Sequence, residues 1–326
     1  MQKSILIFSN GEKIGDGIIK LPLLNEIRKR LPKYKIVWMT NKGSTVYNHQ
    51  LKNIAKNYID EIIEKANLNI FFWKNISNSY NLEDLKFDYI FDTQKAVLRT
   101  IALKRIKCLK FISSSASGIL SDIKIKKANN EQRKYYLEDL YDLLNLIKTD
   151  DIQKDFEIPI PQELENRLYN IFDKQNKYIG IAPGAGEKNK IWPLENYISI
   201  VDYYQNKSYK IVFFLGPQEI DIKTKLMNRF PDAILPEEKI SNFTGPEIVM
   251  GSTKFLSCAL SNDSGVSHML STNLCPLIKL FGPKEAKKFT PVNKNIHTLS
   301  AKQFNSNKIE SIKIEKVIEK INDILE

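Results

Sequence analysis

The sequence predicts an α/β protein of two domains, each built on a parallel sheet wrapped by helices. Apolar runs with strand character alternate with amphipathic stretches, an order typical of parallel sheets. The alternation stops once, near FEIPIPQE, where two prolines and a lack of periodicity indicate an extended connector. A chain of 326 residues also exceeds one ordinary hydrophobic core. We therefore expect domains at residues 1–158 and 159–326.

The first half contains the elements of one such domain. KSILIF and YKIVWMT are predicted strands on either side of the amphipathic stretch IIKLPLLNEIRKRL. DYIFDTQ and CLKFISS are further strands, separated by a helix that begins at about Val97. Glutamate, tyrosine and leucine residues at helical spacing predict one helix over residues 128–148.

The second half repeats this order of elements. The predicted strands are KYIGIAP, YKIVFFLG, KFLSCALSN and CPLIKLFG. The predicted helices are PLENYISIVDYYQ, EIDIKTKLMNRF, a segment after KFLSCALSN and the final amphipathic stretch IEKVIEKINDIL. Two such halves joined by a linker predict a cleft between them. Because ligands bind beyond the carboxyl ends of strands in open α/β sheets, we expect functional residues in the loops that follow strands.

Composition restricts the class of protein. Hydrophobic residues make up 42% of the chain and charged residues 27%, as in globular proteins. No apolar run approaches the roughly 20 residues that span a bilayer, and the first apolar run is too short for the core of a signal peptide. The three cysteines are scattered without CxxC spacing, which argues against disulfide scaffolding and a zinc site and fits a reducing cytoplasm.

The net charge of +11 has two interpretations. The basic clusters RKRLPKYK, KRIK and KIKK fit solvated helix faces and turns, and they also fit attraction to an acidic substrate or an anionic membrane surface. No zinc-finger spacing, RNP-like strand or aromatic–basic interleaving occurs, so a nucleic-acid partner is not expected.

The loop after the first strand, SNGEKIGDGIIKLP, is rich in glycine and contains one acid at the start of a helix. Gly11, Gly15 and Gly17 make the loop flexible, although the spacing is not GxGxxG. Asp16 falls where the helix begins, so it fits a helix N-cap as well as a functional carboxylate.

The loop IAPGAGEKNKIWP has the features of an anion cradle. Gly184 and Gly186 allow backbone N–H groups to approach an anion, and a helix N-terminus follows. Lys190 is a point charge suited to a phosphate. The sequence is not GxxxxGK[ST], which argues against a P-loop NTPase, and an ordinary turn remains the alternative.

Two further loops contain candidate residues. Glu219 follows a buried strand, where an acid can accept both hydroxyls of a ribose or simply begin a helix. In SNDSGVSHML, Asp263 fits a helix cap, and Ser264 and Gly265 present N–H groups. His268 lies one turn further on, as a packing residue or as a ligand to a diphosphate or a sugar hydroxyl. The chain has no DxD sequence, so a diphosphate site without metal would rely on Lys190 and helix termini.

In four places the sequence resembles the bacterial heptosyltransferase family of lipopolysaccharide (LPS) biosynthesis, the ADP-heptose:LPS heptosyltransferase type (glycosyltransferase family 9). The matching motifs are GDGIIKLPLL, YIFDTQKAVLRT, PGAGEKNKIWP and SNDSGVSHMLSTNLCPLIKLFGPKE. Together they extend from about residue 5 to residue 290. The most specific of them is N-D-S-G-x-x-H followed by a strand and F-G-P.

The resemblance implies a GT-B fold, in which two Rossmann-like domains with parallel sheets face each other across a cleft. The first domain would bind the acceptor and the second the nucleotide-sugar donor, and the final helix is allowed to pack back on the first. Asp16 matches the family's catalytic carboxylate and Lys190 a donor-phosphate contact. Asp263, Ser264, Gly265 and His268 match the donor-sugar and diphosphate corner, Glu219 matches a ribose contact, and Gly184 and Gly186 fit diphosphate approach.

The acceptor side departs from the family pattern. The loop after the first strand is about two residues longer than in many members and contains Lys13 beside Gly15. These two residues are therefore our acceptor-side candidates.

The function implied is that of an inverting glycosyltransferase, with no cofactor and no metal, that moves heptose from ADP-heptose to an LPS-core or related surface glycan. The expected partners are an ADP-linked donor and an acidic glycan or glycolipid acceptor. The expected location is the cytoplasm, with peripheral attachment to the inner membrane allowed. The alternatives are another GT-B nucleotide-sugar enzyme, an epimerase or hydrolase, and a non-catalytic polyanion- or saccharide-binding protein.

Overall fold

Each of the two units into which the chain divides, residues 1–153 and 154–326, is built on a five-stranded sheet. The computed structural model describes residues 2–124, 136–148, 157–284, 286 and 295–326. All strand pairs within the two sheets are parallel. This confirms the predicted fold class, whereas the exact domain boundary at residue 158 stays a prediction.

The first unit has the strand order β3-β2-β1-β4-β5. Its strands are β1 (Ser4–Ser9), β2 (Lys35–Thr40), β3 (Glu61–Ile63), β4 (Lys86–Asp92) and β5 (Lys107–Ser113). Its helices are α1 (Ile14–Arg30), α2 (Lys52–Ala55), α3 (Val97–Leu103) and α4 (Tyr136–Asn145). The helix expected over residues 128–148 corresponds to α4, and residues 125–135 lie outside the described part of the chain.

The second unit has the strand order β10-β9-β8-β6-β7. Its strands are β6 (Tyr178–Ala182), β7 (Lys210–Phe213), β8 (Leu256–Asn262), β9 (Leu277–Phe281) and β10 (Ile296–Ser300). Its helices are α5 (Gln162–Tyr169), α6 (Leu194–Gln205), α7 (Ile220–Arg229), α8 (Pro236–Lys239), α9 (Gly245–Ser252), α10 (Gly265–Leu270) and α11 (Ile314–Leu325).

The final helix packs into the core of the second unit. Val317 and Ile321 are fully buried there beside Tyr204. The Tyr204 hydroxyl lies 3.0 Å from Asn322 Oδ1, and the Trp192 indole N–H donates to the carbonyl oxygen of Ile312 at 3.0 Å. The apolar side chains of α11 are therefore buried within the second unit. Packing of this helix on the first domain, which the resemblance allows, stays a prediction.

The strand orders place a topological switch point in each sheet. The chain adds β2 and β3 on one side of β1 and then β4 on its other side. Likewise, β7 lies on one side of β6 and β8 on the other. A crevice opens at the carboxyl ends of strands where the order reverses, so each unit has a natural ligand position there. In the described segments, no helix is both long and apolar enough to cross a bilayer.

Candidate active site

At the switch point of the second unit, the loop after β6 lies against the start of α7. A Cβ atom on Gly184 would come within 1.3 Å of the Glu219 Oε1 atom. The other carboxylate oxygen of Glu219 accepts a hydrogen bond from the Gly216 N–H at 2.8 Å. Burial raises the pKa of Glu219. Only glycine permits this close approach, so the structure brings together two residues that the sequence placed in separate loops.

Asn262, at the end of β8, connects three segments around this loop. Its side-chain N–H donates to the Pro183 carbonyl at 2.6 Å. Its Oδ1 atom accepts from the Trp192 N–H at 3.2 Å and from the Tyr197 hydroxyl at 2.9 Å. This role was not predicted from the sequence, although an asparagine that ends an apolar strand beside Asp263 is a usable signal.

Replacement of Asn262 by Ala is expected to destabilise the protein by about 2–3 kcal/mol, because three buried polar groups lose their partner. Chemical denaturation tests this effect. Ser199→Ala is the control, because the Ser199 hydroxyl donates only to its own helix, to the Glu195 carbonyl. An unchanged denaturation midpoint would contradict the connecting role.

Asp263 lies between two lysines, in what we call the lysine–aspartate cluster (Lys190, Asp263, His268 and Lys279). One carboxylate oxygen is 3.5 Å from the Lys190 Nζ atom and the other is 3.5 Å from the Lys279 Nζ atom. The N-cap of α10 is Ser264, whose capping partner is Ser267. The capping role considered for Asp263 is therefore wrong. Its carboxylate instead faces the ammonium groups of the two lysines.

The two lysines of the cluster differ in their electrostatics. Burial lowers the pKa of Lys279, which is inside β9, to about 8, against the opposing attraction of Asp263. For Lys190, burial is outweighed by hydrogen bonding and by the carboxylates of Asp263 and Glu187, which raise its pKa. Lys279 was not predicted as a site residue, although a lysine within the apolar run CPLIKLFG breaks the strand pattern and could have signalled it.

His268 is held neutral. Burial, together with the cations of Lys279 and Lys190, lowers its pKa to about 3. At neutral pH the imidazole can therefore donate or accept one uncharged hydrogen bond, while Lys190 and Lys279 supply the positive charge. The Ser264 N–H donates to the Ser267 hydroxyl at 3.3 Å within the cap, so its contact with a donor stays a prediction.

In the first unit, residues from the end of β1, the loop after it, α1 and the segment after β2 form the Asp16 cluster (Ser9, Glu12, Asp16, Lys20 and Thr45). Asp16 is the third residue of α1, whose N-cap is Lys13. The N-cap interpretation of Asp16 is therefore wrong, and Asp16 is instead the acid in the first turn of the helix. Gly15 lies between these two residues, and Lys13 is exposed.

Glu12 and Lys20 are the charged members of the Asp16 cluster that are shielded from solvent: Lys20 is buried and Glu12 is half-buried. Glu12 accepts hydrogen bonds from the hydroxyls of Ser9, at 2.9 Å, and Thr45. Burial raises the pKa of Glu12, against the Lys20 cation and these hydrogen bonds. Burial lowers the pKa of Lys20, and the carboxylates of Glu12 and Asp16 oppose this. Neither residue was predicted from the sequence, although a lysine on the apolar side of α1 was a signal.

The family follows from a comparison with known proteins. The sequence model of glycosyltransferase family 9 (heptosyltransferase) matches residues 81–319, more than half of the chain. The chain belongs to glycosyltransferase family 9. It is therefore a glycosyltransferase, and the epimerase, hydrolase and non-catalytic alternatives are set aside.

Three individual relatives have low sequence identity to this glycosyltransferase, but each alignment covers at least 90% of its chain. The lipopolysaccharide core heptosyltransferase OpsX of Haemophilus influenzae is 20% identical over 306 residues, which are 90% of this chain and 84% of OpsX. A family 9 glycosyltransferase from Veillonella parvula has a similar structure, with a TM-score of 0.74, 18% identity and coverage of 100% and 98% of the two chains. E. coli heptosyltransferase WaaC with ADP has a TM-score of 0.70, 16% identity and coverage of 98% and 99%. These structures establish the GT-B-like fold.

At the first switch point of the glycosyltransferase, Asp92 ends β4 and is bonded to neighbouring elements of the same unit. Its carboxylate accepts hydrogen bonds from the hydroxyls of Thr100, at 2.7 Å, and Ser113, at 2.8 Å, and from the Gln94 N–H at 2.8 Å. Burial raises the pKa of Asp92 to about 6. These bonds connect the end of β4 to β5 and α3, so Asp92 stabilises the carboxyl ends of these two strands.

The residues described for the glycosyltransferase contain no group of three or more His, Cys, Asp or Glu side chains placed to hold a metal ion. Within the second unit, the structure brings Gly184 to Glu219 and Lys190 to Asp263. A Cβ atom on Gly186 would meet nothing within 4 Å, so this part of the loop faces open space.

Proposed function

We propose that this protein is an inverting, metal-independent heptosyltransferase that moves heptose from ADP-heptose to an LPS-core or related surface glycan. The observation that supports it most is the lysine–aspartate cluster beside the loop of Gly184 and Glu219, at the switch point of the second unit. Its cations would neutralise a leaving diphosphate bound at this switch point. The names of the relatives, an LPS core heptosyltransferase and a heptosyltransferase with ADP, support the choice of donor and acceptor.

On the donor side, the charged lysines and the hydrogen-bonding residues would have different roles. Lys190 and Lys279 would balance the diphosphate in place of a divalent cation, and neutral His268 would donate a hydrogen bond to a phosphoryl or sugar oxygen. Glu219 would accept the ribose hydroxyls. A cavity of about 130 Å³ adjoins Gly216, and burial raises the pKa of Glu237 in its wall to about 7. A protonated carboxyl there could donate to a ring nitrogen of adenine.

On the acceptor side, Asp16 would act as the general base. The acceptor hydroxyl oxygen attacks the anomeric carbon while the bond from that carbon to the diphosphate oxygen breaks. The hydroxyl proton passes to the Asp16 carboxylate, and the bonding electrons leave with the diphosphate. One displacement of this kind inverts the configuration. Lys13 and Gly15 would lie next to the acceptor, and the cation at Lys13 suits an acidic glycan or glycolipid presented at the cytoplasmic face of the inner membrane.

A thermal-shift panel of ADP-, GDP-, UDP- and CMP-linked sugars tests the proposal. ADP-heptose at 100 times its dissociation constant should stabilise the protein by about 2.7 kcal/mol, and the other nucleotides should have smaller effects. Lys190→Met should abolish most of this shift, and Lys174→Met is the matched control because Lys174 lies over the Tyr169 ring, away from the cluster. No response to any nucleotide would contradict the proposal.

A further inference from the structure

An exposed aromatic loop, residues 69–75, projects from the first unit between β3 and β4. Four consecutive apolar side chains occupy its tip: Ile70, Phe71, Phe72 and Trp73. Phe72 is 82% exposed and Trp73 is 67% exposed. The rings contact one another, with Trp73 at 5.0 Å from Phe71 and 4.9 Å from Phe72, centroid to centroid. Single exposed apolar residues are common, but a contiguous aromatic patch marks an interaction surface.

The backbone of the aromatic loop is held by one guanidinium group. Arg105, just after α3, donates to the carbonyl oxygens of Asn69 at 2.9 Å and Phe71 at 3.0 Å, and also to that of Lys74. The Asn69 side chain donates to the Asn75 carbonyl at 2.9 Å and closes the base of the loop. Carbonyl oxygens that accept a hydrogen bond from Arg105 need no water in that place. The cost of moving the tip into an environment poor in water is therefore reduced at these carbonyl groups.

Positive charge borders the loop. The Lys74 ammonium lies 5.5 Å above the Phe71 ring, and Lys104 and Lys107 are exposed on either side of Arg105 in sequence. Two acids partly offset this charge: Asp122 pairs with Lys104 at 3.0 Å, and Glu83 lies near Arg105. Lysines next to exposed aromatic rings suit a surface with negative charge at its boundary and apolar material beneath.

The exposed apolar residues are unevenly distributed between the two units. Among the described residues, only Tyr169 and Ile220 of the large exposed hydrophobics belong to the second unit. In the first unit, Leu98 and Ile101 of α3 are exposed on the helix face that leads to Arg105. The aromatic loop and this face of α3 meet at Arg105, so apolar surface extends beyond the loop on the same unit.

We propose that the aromatic loop docks this protein on a bilayer surface that contains anionic lipid headgroups. Tryptophan and phenylalanine insert into the boundary between headgroups and acyl chains, and lysine side chains remain with the headgroup phosphates. The two most exposed rings of the loop, Phe72 and Trp73, are bordered by exposed lysines, a combination that matches the apolar and anionic layers of a bilayer surface. This inference deepens the proposed function, whose acceptor can be lipid-linked, but vesicle binding does not require that function to be correct.

Tryptophan fluorescence is a selective probe of docking. The chain has three tryptophans, and Trp38 and Trp192 are fully buried. Added to the full-length protein, phosphatidylcholine vesicles with 30% phosphatidylglycerol should shift the emission of Trp73 to shorter wavelength, and brominated lipids should quench it. Vesicles of phosphatidylcholine alone should bind about fivefold more weakly, because each lysine near an anionic surface contributes to binding.

The double variant Phe72→Ser/Trp73→Ser tests the loop itself. Loss of two aromatic side chains should lower the vesicle partition coefficient at least about tenfold in co-sedimentation. Ile220→Ser is the matched control, because Ile220 is 66% exposed and lies in the second unit. Its partition coefficient should remain that of the wild type. Equal partition of the double variant and the wild type would overturn the proposal.

Two further measurements distinguish membrane docking from self-association and from a failure of the proposed function. If the loop instead joins two copies of the chain, sedimentation velocity without lipid will show a dimer that the double variant abolishes, and this outcome also overturns the proposal. Transfer to a soluble acceptor fragment, with its lipid removed, should be the same in the double variant and the wild type. Vesicle binding without any ADP-heptose binding would leave docking intact and reject only the proposed function.

Discussion

Replacement of Asp16 by Asn should lower kcat for glycosyl transfer by about 10²–10⁴-fold, the usual contribution of a general base. The amide keeps the size of the side chain and its place in the first turn of α1, but it cannot take the acceptor proton. ADP-heptose should still bind with wild-type affinity, because the residues that we propose for donor binding belong to the second unit. Single-turnover transfer assays and calorimetry with ADP measure the two quantities separately.

The matched control for this substitution is Glu315→Gln, which removes an exposed acid from the first turn of α11. It should leave both transfer and donor binding unchanged. If the Asp16→Asn variant transfers heptose at the wild-type rate, Asp16 is not the base. Glu12→Gln then becomes the deciding variant, since Glu12 is the other carboxylate of the Asp16 cluster.

The second large effect concerns stability. Asp263→Asn should destabilise the protein by about 3 kcal/mol, because the buried Lys279 cation then loses the carboxylate that it faces at 3.5 Å. Lys279 is 1% exposed and Asp263 is 8% exposed at the side chain, so water cannot replace the lost carboxylate. The midpoint of urea denaturation measures the effect. The double variant Asp263→Asn/Lys279→Met should recover most of the loss, and failure to recover would show that the charge pair is not its origin.

The loss of stability in the Asp263→Asn variant should depend on pH. The pKa of Lys279 is about 8 in the folded protein, below the ordinary value of 10.5. The unfolded chain therefore binds this proton more tightly, and the native state gains stability as the pH rises from about 8 towards 10.5. Below pH 8 the full cost of the buried cation is present. The Asp263→Asn variant should thus show a larger deficit at pH 6 than at pH 9.

Much of the fold was predictable because its strands are continuous apolar runs. Parallel strands buried on both faces have this pattern, as β1 and β6 do. Two strands escaped prediction for a physical reason. β3 has only three residues, and β10 is partly exposed along its whole length, so neither has a distinct apolar pattern.

The candidate site was predictable where its residues follow strands. Lys190 and Asp263 are such residues, and the structure places them 3.5 Å apart. Lys279 and Lys20 are different, since each is a charged residue inside an apolar element, and the partner that explains it comes from another element. Capping roles also depend on backbone angles: Lys13 and Ser264 have the extended backbone of an N-cap residue.

The hydrogen bonds around Asn262 have a consequence for how this protein can be altered. The glycine loop is tied to Asn262, Asn262 to Trp192, and the Trp192 indole to the carbonyl of Ile312, just before α11. The order of the glycine loop is therefore maintained partly from the last fifteen residues of the sequence. A deletion that begins at Ile312 would remove the acceptor of the Trp192 indole N–H together with the buried side chains of Val317 and Ile321, so it should disorder the core beneath the loop as well as the loop itself.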